Sequence, residues 1–204
     1  MHIAEGVLGL PVLASGAVIA AVAVGFGLRR LPDAHVALAG LLGALFFVAS
    51  LIHVPIGVGS VHLVLNGLCG ILLGWSAFPV LLVALALQAL LFGYGGITTL
   101  GVNTLVMGVP AVLCGAMLRA PACGLTPRGA GMRGALAGGA AIALGVLLMC
   151  SALWLSGGRS YLPLMGAVLL AYLPVMLIEA VLTALILATL VRVRPQYLQR
   201  GSPA

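Results

Sequence analysis

No lysine occurs in the 204 residues, and charged residues of all kinds make up only 6% of the chain. Without lysine there is no phosphate-cradling Gly-x-x-x-x-Gly-Lys-Ser/Thr loop to bind ATP. The shortage of charge excludes a water-soluble domain. With 63% hydrophobic residues and a mean hydropathy of +1.31, too little polar surface is left to cover a core. No His-Glu-x-x-His pair is present, and no carboxylate stands near His62 to act as a general base. The four cysteines, Cys69, Cys114, Cys123 and Cys150, form no close pair with ligand spacing and read as small packing hydrophobes. The nine cations are all arginine, giving a formal net charge of +6. They are scattered over segment ends rather than gathered into a stripe, which excludes nucleic acid as a partner.

What is present is the composition of a polytopic bundle in a lipid bilayer. Twenty-nine glycines and many alanines suit helices that approach one another backbone to backbone. Apolar runs of spanning length lie at roughly 11–28, 34–52, 57–74, 77–93, 100–118, 134–156 and 164–191. The expected fold is therefore an all-α integral membrane protein, a single domain over 1–204 with seven transmembrane helices. Gly57, Gly59, Ser60, His62 and Asn66 interrupt the third run, and the seventh is long enough to tilt. An odd number of spans separates the termini. Eight arginines, at positions 29, 30, 119, 128, 133, 192, 194 and 200, fall on one side, and Arg159 alone falls on the other. The positive-inside rule then puts the N-terminus outside and the C-terminus in the cytoplasm.

That orientation gathers several polar residues at the outer face. Met1-His2 offers an amine, a peptide nitrogen and an imidazole to one ion, through a five-membered and a six-membered chelate ring. Such a set favours a planar ion, nickel(II) or copper(II), over tetrahedral zinc or oxygen-seeking magnesium, and it needs a fourth donor. The chain opens directly on Met1-His2-Ile3-Ala4-Glu5-Gly6, with no basic leader or small-residue cleavage site, so His2 is expected to stay second. His62 sits in an apolar stretch where a polar ring needs a partner, and a metal is one such partner. If that stretch is helical, Asn66 lies one turn on and orients the imidazole. His53, before Val54-Pro55, reads mainly as interfacial and as a weaker candidate, while His35 lies on the inner side. The run from Gly93 to Asn103 is a membrane-level loop rather than a dinucleotide fingerprint. Its Thr98, Thr99 and Asn103 are placed to satisfy freed backbone groups. Glu179, a carboxylate deep in the last span, reads as either a structural hydrogen-bonding group or a coupling residue, far from the outer site.

Three stretches together resemble the substrate-binding membrane subunits of energy-coupling-factor transporters for nickel and cobalt, the CbiM/NikM type. They are Met1-His2-Ile3-Ala4-Glu5-Gly6, then Ser60-Val61-His62-Leu63 with Asn66-Gly67-Leu68, then Gly93-Tyr94-Gly95-Gly96-Ile97-Thr98-Thr99-Leu100-Gly101-Val102-Asn103-Thr104. The resemblance implies a seven-helix subunit whose N-terminus tucks in from outside. It implies metal binding by the Met1 amine, the His2 peptide nitrogen and imidazole, and the His62 imidazole, with Asn66, Tyr94, Thr98 and Asn103 as supporting residues. Tyr94 stands where family loops often have histidine. The resemblance further implies Ni2+ or Co2+, nickel favoured, as transported substrate with no organic cofactor. The implied partners are a transmembrane coupling subunit, ATPase subunits and an accessory small membrane subunit, in the plasma or inner membrane of a prokaryote. Family members serve cobalamin biosynthesis. Two other classes stay open on the sequence: a membrane-embedded metal-dependent hydrolase and a metal-independent structural membrane subunit.

Overall fold

In hydrocarbon a helix satisfies its own backbone, and the apolar runs of this chain form helices almost throughout. The computed structural model describes residues 2–56, 59–118 and 125–198, and of 53–56 and 59–61 the backbone alone. The helices are α1 (Leu10–Arg29), α2 (Val36–Leu51), α3 (Asn66–Leu73), α4 (Ala77–Phe92), α5 (Leu100–Leu118), α6 (Pro127–Gly157) and α7 (Leu162–Val193). Prolines stand in the first turns of α1, α6 and α7, where a missing N–H breaks no helical bond. Gly93, in the left-handed region at φ +67°, ends α4. Its own N–H donates to Ala89 O, and the Tyr94 N–H reaches back to Gln88 O.

Five helical segments among the described residues are long and apolar enough to cross a membrane: Leu10–Arg29, Asp33–Leu51, Asn66–Phe92, Leu100–Leu118 and Pro127–Val193. The third joins α3 to α4, and the fifth joins α6 to α7 through a turn at Gly158–Tyr161. The expected helical run over 57–74 is corrected. Its first half belongs to an antiparallel hairpin of β1 (His53–Ile56) and β2 (Gly59–His62), with His53 opposite His62 and Ile56 opposite Gly59. Among the described residues the fold is thus helical with one two-stranded hairpin. Pro55 withholds a helical donor, Gly59 weakens a helix, and the β-branched Val54, Ile56 and Val61 favour extended backbone. Only the eight residues of α3 complete this segment as helix.

The chain runs back and forth between two ends. Residues 2–9, the hairpin, the 93–99 loop and the Gly158–Tyr161 turn share one end. There the Tyr161 hydroxyl donates to Val7 O at 2.7 Å, and the Gly9 N–H donates to Ser156 Oγ at 3.2 Å. The opposite end carries Arg29, Arg30, Arg128, Arg133, Arg192 and Arg194, with His35 half-buried in a short turn. Arg159 is the one described arginine at the first end, and Arg119 and Arg200 lie outside the described residues.

All eight residues of α3 are buried. The helix reaches the middle of the bundle by touching α5 backbone to backbone. A Cβ added to Gly70 would lie 1.8 Å from Ala111 O, and one on Gly115 would lie 2.1 Å from Gly70 O. Cys69, Cys114 and Cys150 are buried free thiols in this packing, and Cys123 lies outside the described residues. Replacing Gly70 by Ala must push α3 and α5 apart. We expect a loss of about 1–3 kcal/mol or more from overpacking, read as a lowered melting temperature in detergent. An unchanged melting temperature would mean that α3 is not seated on α5 in this way.

Candidate metal centre

The site is built from the N-terminal segment outward. Ile3 is buried and pairs with Asn103 in both directions. The Ile3 N–H donates to Asn103 Oδ1 at 2.9 Å, and Asn103 Nδ2 donates to Ile3 O at 3.2 Å. The amide is held in turn by Thr99, whose hydroxyl accepts from Asn103 Nδ2 at 3.2 Å and donates to Gly96 O at 3.3 Å. Further out, the Glu5 N–H donates to Gly95 O, and the Glu5 carboxylate accepts from the Thr98 N–H at 3.2 Å and its hydroxyl at 3.5 Å. Gly95, at φ +79°, makes this clasp possible, because a Cβ there would stand 2.9 Å from Asn103 Nδ2 and against the His2 ring.

So clamped, His2 is carried into the bundle, where it is 5% exposed and meets His62, 2% exposed. His62 Nε2 and His2 Nδ1 are 2.9 Å apart, with the ring centroids at 4.6 Å. His62 Nδ1 lies 2.7 Å from Leu63 O. A carbonyl oxygen can only accept, so in the neutral ring the His62 proton is on Nδ1 and Nε2 turns its lone pair toward His2. Burial first, and the amino-terminal charge second, pull the His2 pKa from 6.5 down to about 3, against an opposing hydrogen bond with Gln88. At neutral pH the ring is therefore uncharged and keeps a lone pair.

Beneath His62 the chain makes a bend that neither strand nor helix can satisfy. Leu65 takes the left-handed conformation at φ +52°, which no other non-glycine residue among those described adopts. The bend turns the backbone N–H groups of Val64 and Leu65 toward one carboxylate, that of Glu179 on α7. Val64 N–H donates to Oε1, and Leu65 N–H lies 2.8 Å from Oε1 and 3.0 Å from Oε2. The carboxylate also sits at the positive end of α3.

These contacts correct two expectations. Glu179 is remote from His62 only in sequence, because the hairpin and its bend carry the chain down from the site end to mid-depth on α7. Asn66 does not orient the His62 ring, since His62 is in a strand and Asn66 starts a helix. The Asn66 side chain accepts from the Gly67 N–H and lies 3.5 Å from Met107 O, and the ring is oriented by Leu63 O instead. Tyr94 lies beside the site, its ring centroid 6.2 Å from that of His2, and it stacks on Phe92. Thr98 is exposed and serves Glu5. Met1 and the His53 side chain lie outside the described residues, although the register sets the His53 backbone opposite His62.

The reading of the sequence missed Gln88 and Ser50. His2 Nε2 is 2.7 Å from Gln88 Oε1, and Gln88 Nε2 donates to Ser50 Oγ at 2.7 Å. The signal was there. Each is the one strongly polar side chain in an otherwise apolar helix, and such a group is costly in hydrocarbon without a partner. Among the described residues no three His, Cys, Asp or Glu side chains gather as a ligand set. An ion at the two histidines would take its remaining donors from groups other than such a cluster.

The family of cobalt-uptake substrate-specific transmembrane regions, CbiM, matches residues 2–197. A Haemophilus influenzae protein bearing a metal-transport name is 41% identical over 208 residues, which cover 98% of each chain. The fused nickel transport protein NikMN of Rhodobacter capsulatus is 40% identical over 104 residues, covering 50% of this chain and 29% of its own length. A crystal structure of a transition metal transporter superposes with a TM-score of 0.68 at 24% identity, covering 95% of this chain and 93% of its own, and it carries the fold alone.

The contacts of Glu179 lead to a graded expectation. Glu179→Ala strands two buried N–H groups, at about 1–3 kcal/mol each, and lets the His62 segment move. Glu179→Gln keeps an acceptor and loses less. The melting temperature of the purified protein in detergent reads the order wild type, Gln, Ala; equal stability of the alanine variant would contradict the role given to the carboxylate.

Proposed function

Because this chain belongs to the CbiM family of cobalt-uptake substrate-specific transmembrane regions, we propose that it is the metal-binding membrane subunit of an energy-coupling-factor uptake transporter, taking its ion between His2 and His62. The observation that carries this reading is the 2.9 Å gap between His2 Nδ1 and His62 Nε2. Neighbouring donors about 2.0 Å from an ion and at right angles to each other stand about 2.8 Å apart. His2 Nδ1 is also the nitrogen that closes the six-membered chelate ring with its own peptide nitrogen, and the Met1 amine completes a plane of four nitrogens. That planar set favours nickel(II), with cobalt(II) as the alternative cargo.

The N-terminal clasp supports the same reading, since Asn103 and Gly95 hold the first residues where chelation needs them. The arginine-rich end faces the cytoplasm by the positive-inside rule, with seven spans and the metal centre at the outer face of a prokaryotic plasma or inner membrane. Energy comes from separate ATPase subunits through a transmembrane coupling subunit. The fused name of the Rhodobacter relative supports an association with further transport components.

Metal content of the protein with its native N-terminus tests the centre: His62→Ala loses nickel and His53→Ala keeps most of it, and the reverse order would reject the assignment. Inserting one Ala between Met1 and His2 changes the chelate count, so uptake by cells carrying the complete transporter is lost. Normal uptake by that form would sink the chelate. The orientation is read separately. A reporter fused after Arg194 is cytoplasmic and one in the Gly157-Gly158 turn is external, and the opposite pattern would invert the assignment.

A further inference from the structure

Two hydrogen-bonded relays converge on the gap between the histidines. One begins at the carbonyl of Phe47 on α2, which accepts the Ser50 hydroxyl at 2.6 Å. That bond uses the only hydrogen on Ser50 Oγ, so the oxygen can offer Gln88 nothing but a lone pair. The Gln88 atom 2.7 Å from Ser50 is therefore the NH2 group, and the orientation of the amide is settled by chemistry. Its Oε1, an acceptor only, faces His2 Nε2 at 2.7 Å. His2 Nε2 must then carry the ring proton. The second relay is shorter, with Leu63 O holding the proton of His62 on Nδ1.

We propose that Gln88, locked by Ser50, is a positioning residue that selects the His2 tautomer with its lone pair on Nδ1. This rests on the metal-binding reading above. With both rings neutral and both relays in force, two lone pairs face each other across 2.9 Å, an arrangement that repels itself until a cation lies against both. Gln88 and Ser50 touch no metal. They act from α4 and α2 by deciding which nitrogen of His2 is free, as the outer partners of metal-bound histidines do. A neutral amide does this without adding charge to the site, but it can flip. Ser50 prevents the flip, because an inverted amide would turn its NH2 group to His2 Nε2 and favour the tautomer with the proton on Nδ1.

The test uses nickel(II) alone, titrated into purified full-length protein with its native N-terminus. Gln88→Leu and Ser50→Ala are each expected to weaken binding about 10- to 100-fold. Gln88→Glu, whose two oxygens are both acceptors, is expected to bind at least as tightly as wild type. It should also restore binding when combined with Ser50→Ala, since a carboxylate has no wrong orientation. A structural role for Ser50 alone would give no such rescue. Nitrogen NMR of histidine-labelled, metal-free protein gives a readout independent of the metal: His2 Nε2 is protonated in wild type, and the proton moves toward Nδ1 in Ser50→Ala. The proposal is overturned if His2 carries its proton on Nδ1 in the wild type. It is equally overturned if nickel binds wild type, Ser50→Ala and Gln88→Leu alike, an outcome that leaves the metal reading standing. Absence of nickel binding by the wild type overturns both.

Discussion

Two backbone N–H groups that belong to neither strand nor helix determine how the site end of this bundle is built. Those of Val64 and Leu65 are buried where no water can satisfy them, and the carboxylate of Glu179 accepts both. Everything around the pair follows from that requirement. Leu65 is held in a left-handed conformation that costs about 1–3 kcal/mol and persists only where its surroundings fix it. The bend directs the chain from β2 into α3, and it leaves Leu63 O where it can hold the ring of His62. A carboxyl group that is costly to bury is thus offset by two donors costly to leave bare.

The N-terminal segment solves the same problem differently. It has no regular structure over its first residues, yet it enters the bundle because its polar groups are met one by one: Ile3 by Asn103, Glu5 by Gly95 and Thr98, Val7 by Tyr161, and Gly9 by Ser156. Irregular backbone at membrane depth is tolerated when protein surrounds it. The contacts come from the 93–99 loop, α5, the end of α6 and the turn that follows it. The segment is consequently a structural part of the bundle rather than a tail laid on it.

How much of this was legible in the sequence depends on the range of each signal. The chelating capacity of Met1-His2 is a matter of covalent spacing, and apolar runs at 77–93 and 100–118 correspond to α4 at Ala77–Phe92 and α5 at Leu100–Leu118. The apolar context of His62 marked it as needing a partner, and the structure brings it to His2. Periodicity failed over 53–65, where apolar residues alternate with glycine, proline and histidine and the chain forms a hairpin and a bend. It also cannot announce pairings across the chain, such as Leu65 with Glu179 or His2 with Gln88, because these depend on how deep each element sits. Gln88 and Ser50 were still visible as lone polar residues in apolar helices, and partnering them needed only the question of what a buried amide must bond.

The contact between α3 and α5 has a mechanical meaning for the two histidines. His62 precedes the N-terminus of α3, and His2 is adjacent to the residue that Asn103 of α5 holds. Where these helices meet at Gly70 and Gly115, no side chain lies between them to rotate or compress. The two imidazoles are thus mounted on a frame whose width is fixed by main chain against main chain. If the two rings take an ion as proposed, such a frame acts as a gauge: their spacing is set by parts that cannot easily yield, and a cation of different size or preferred geometry would meet a fixed aperture rather than an adaptable one.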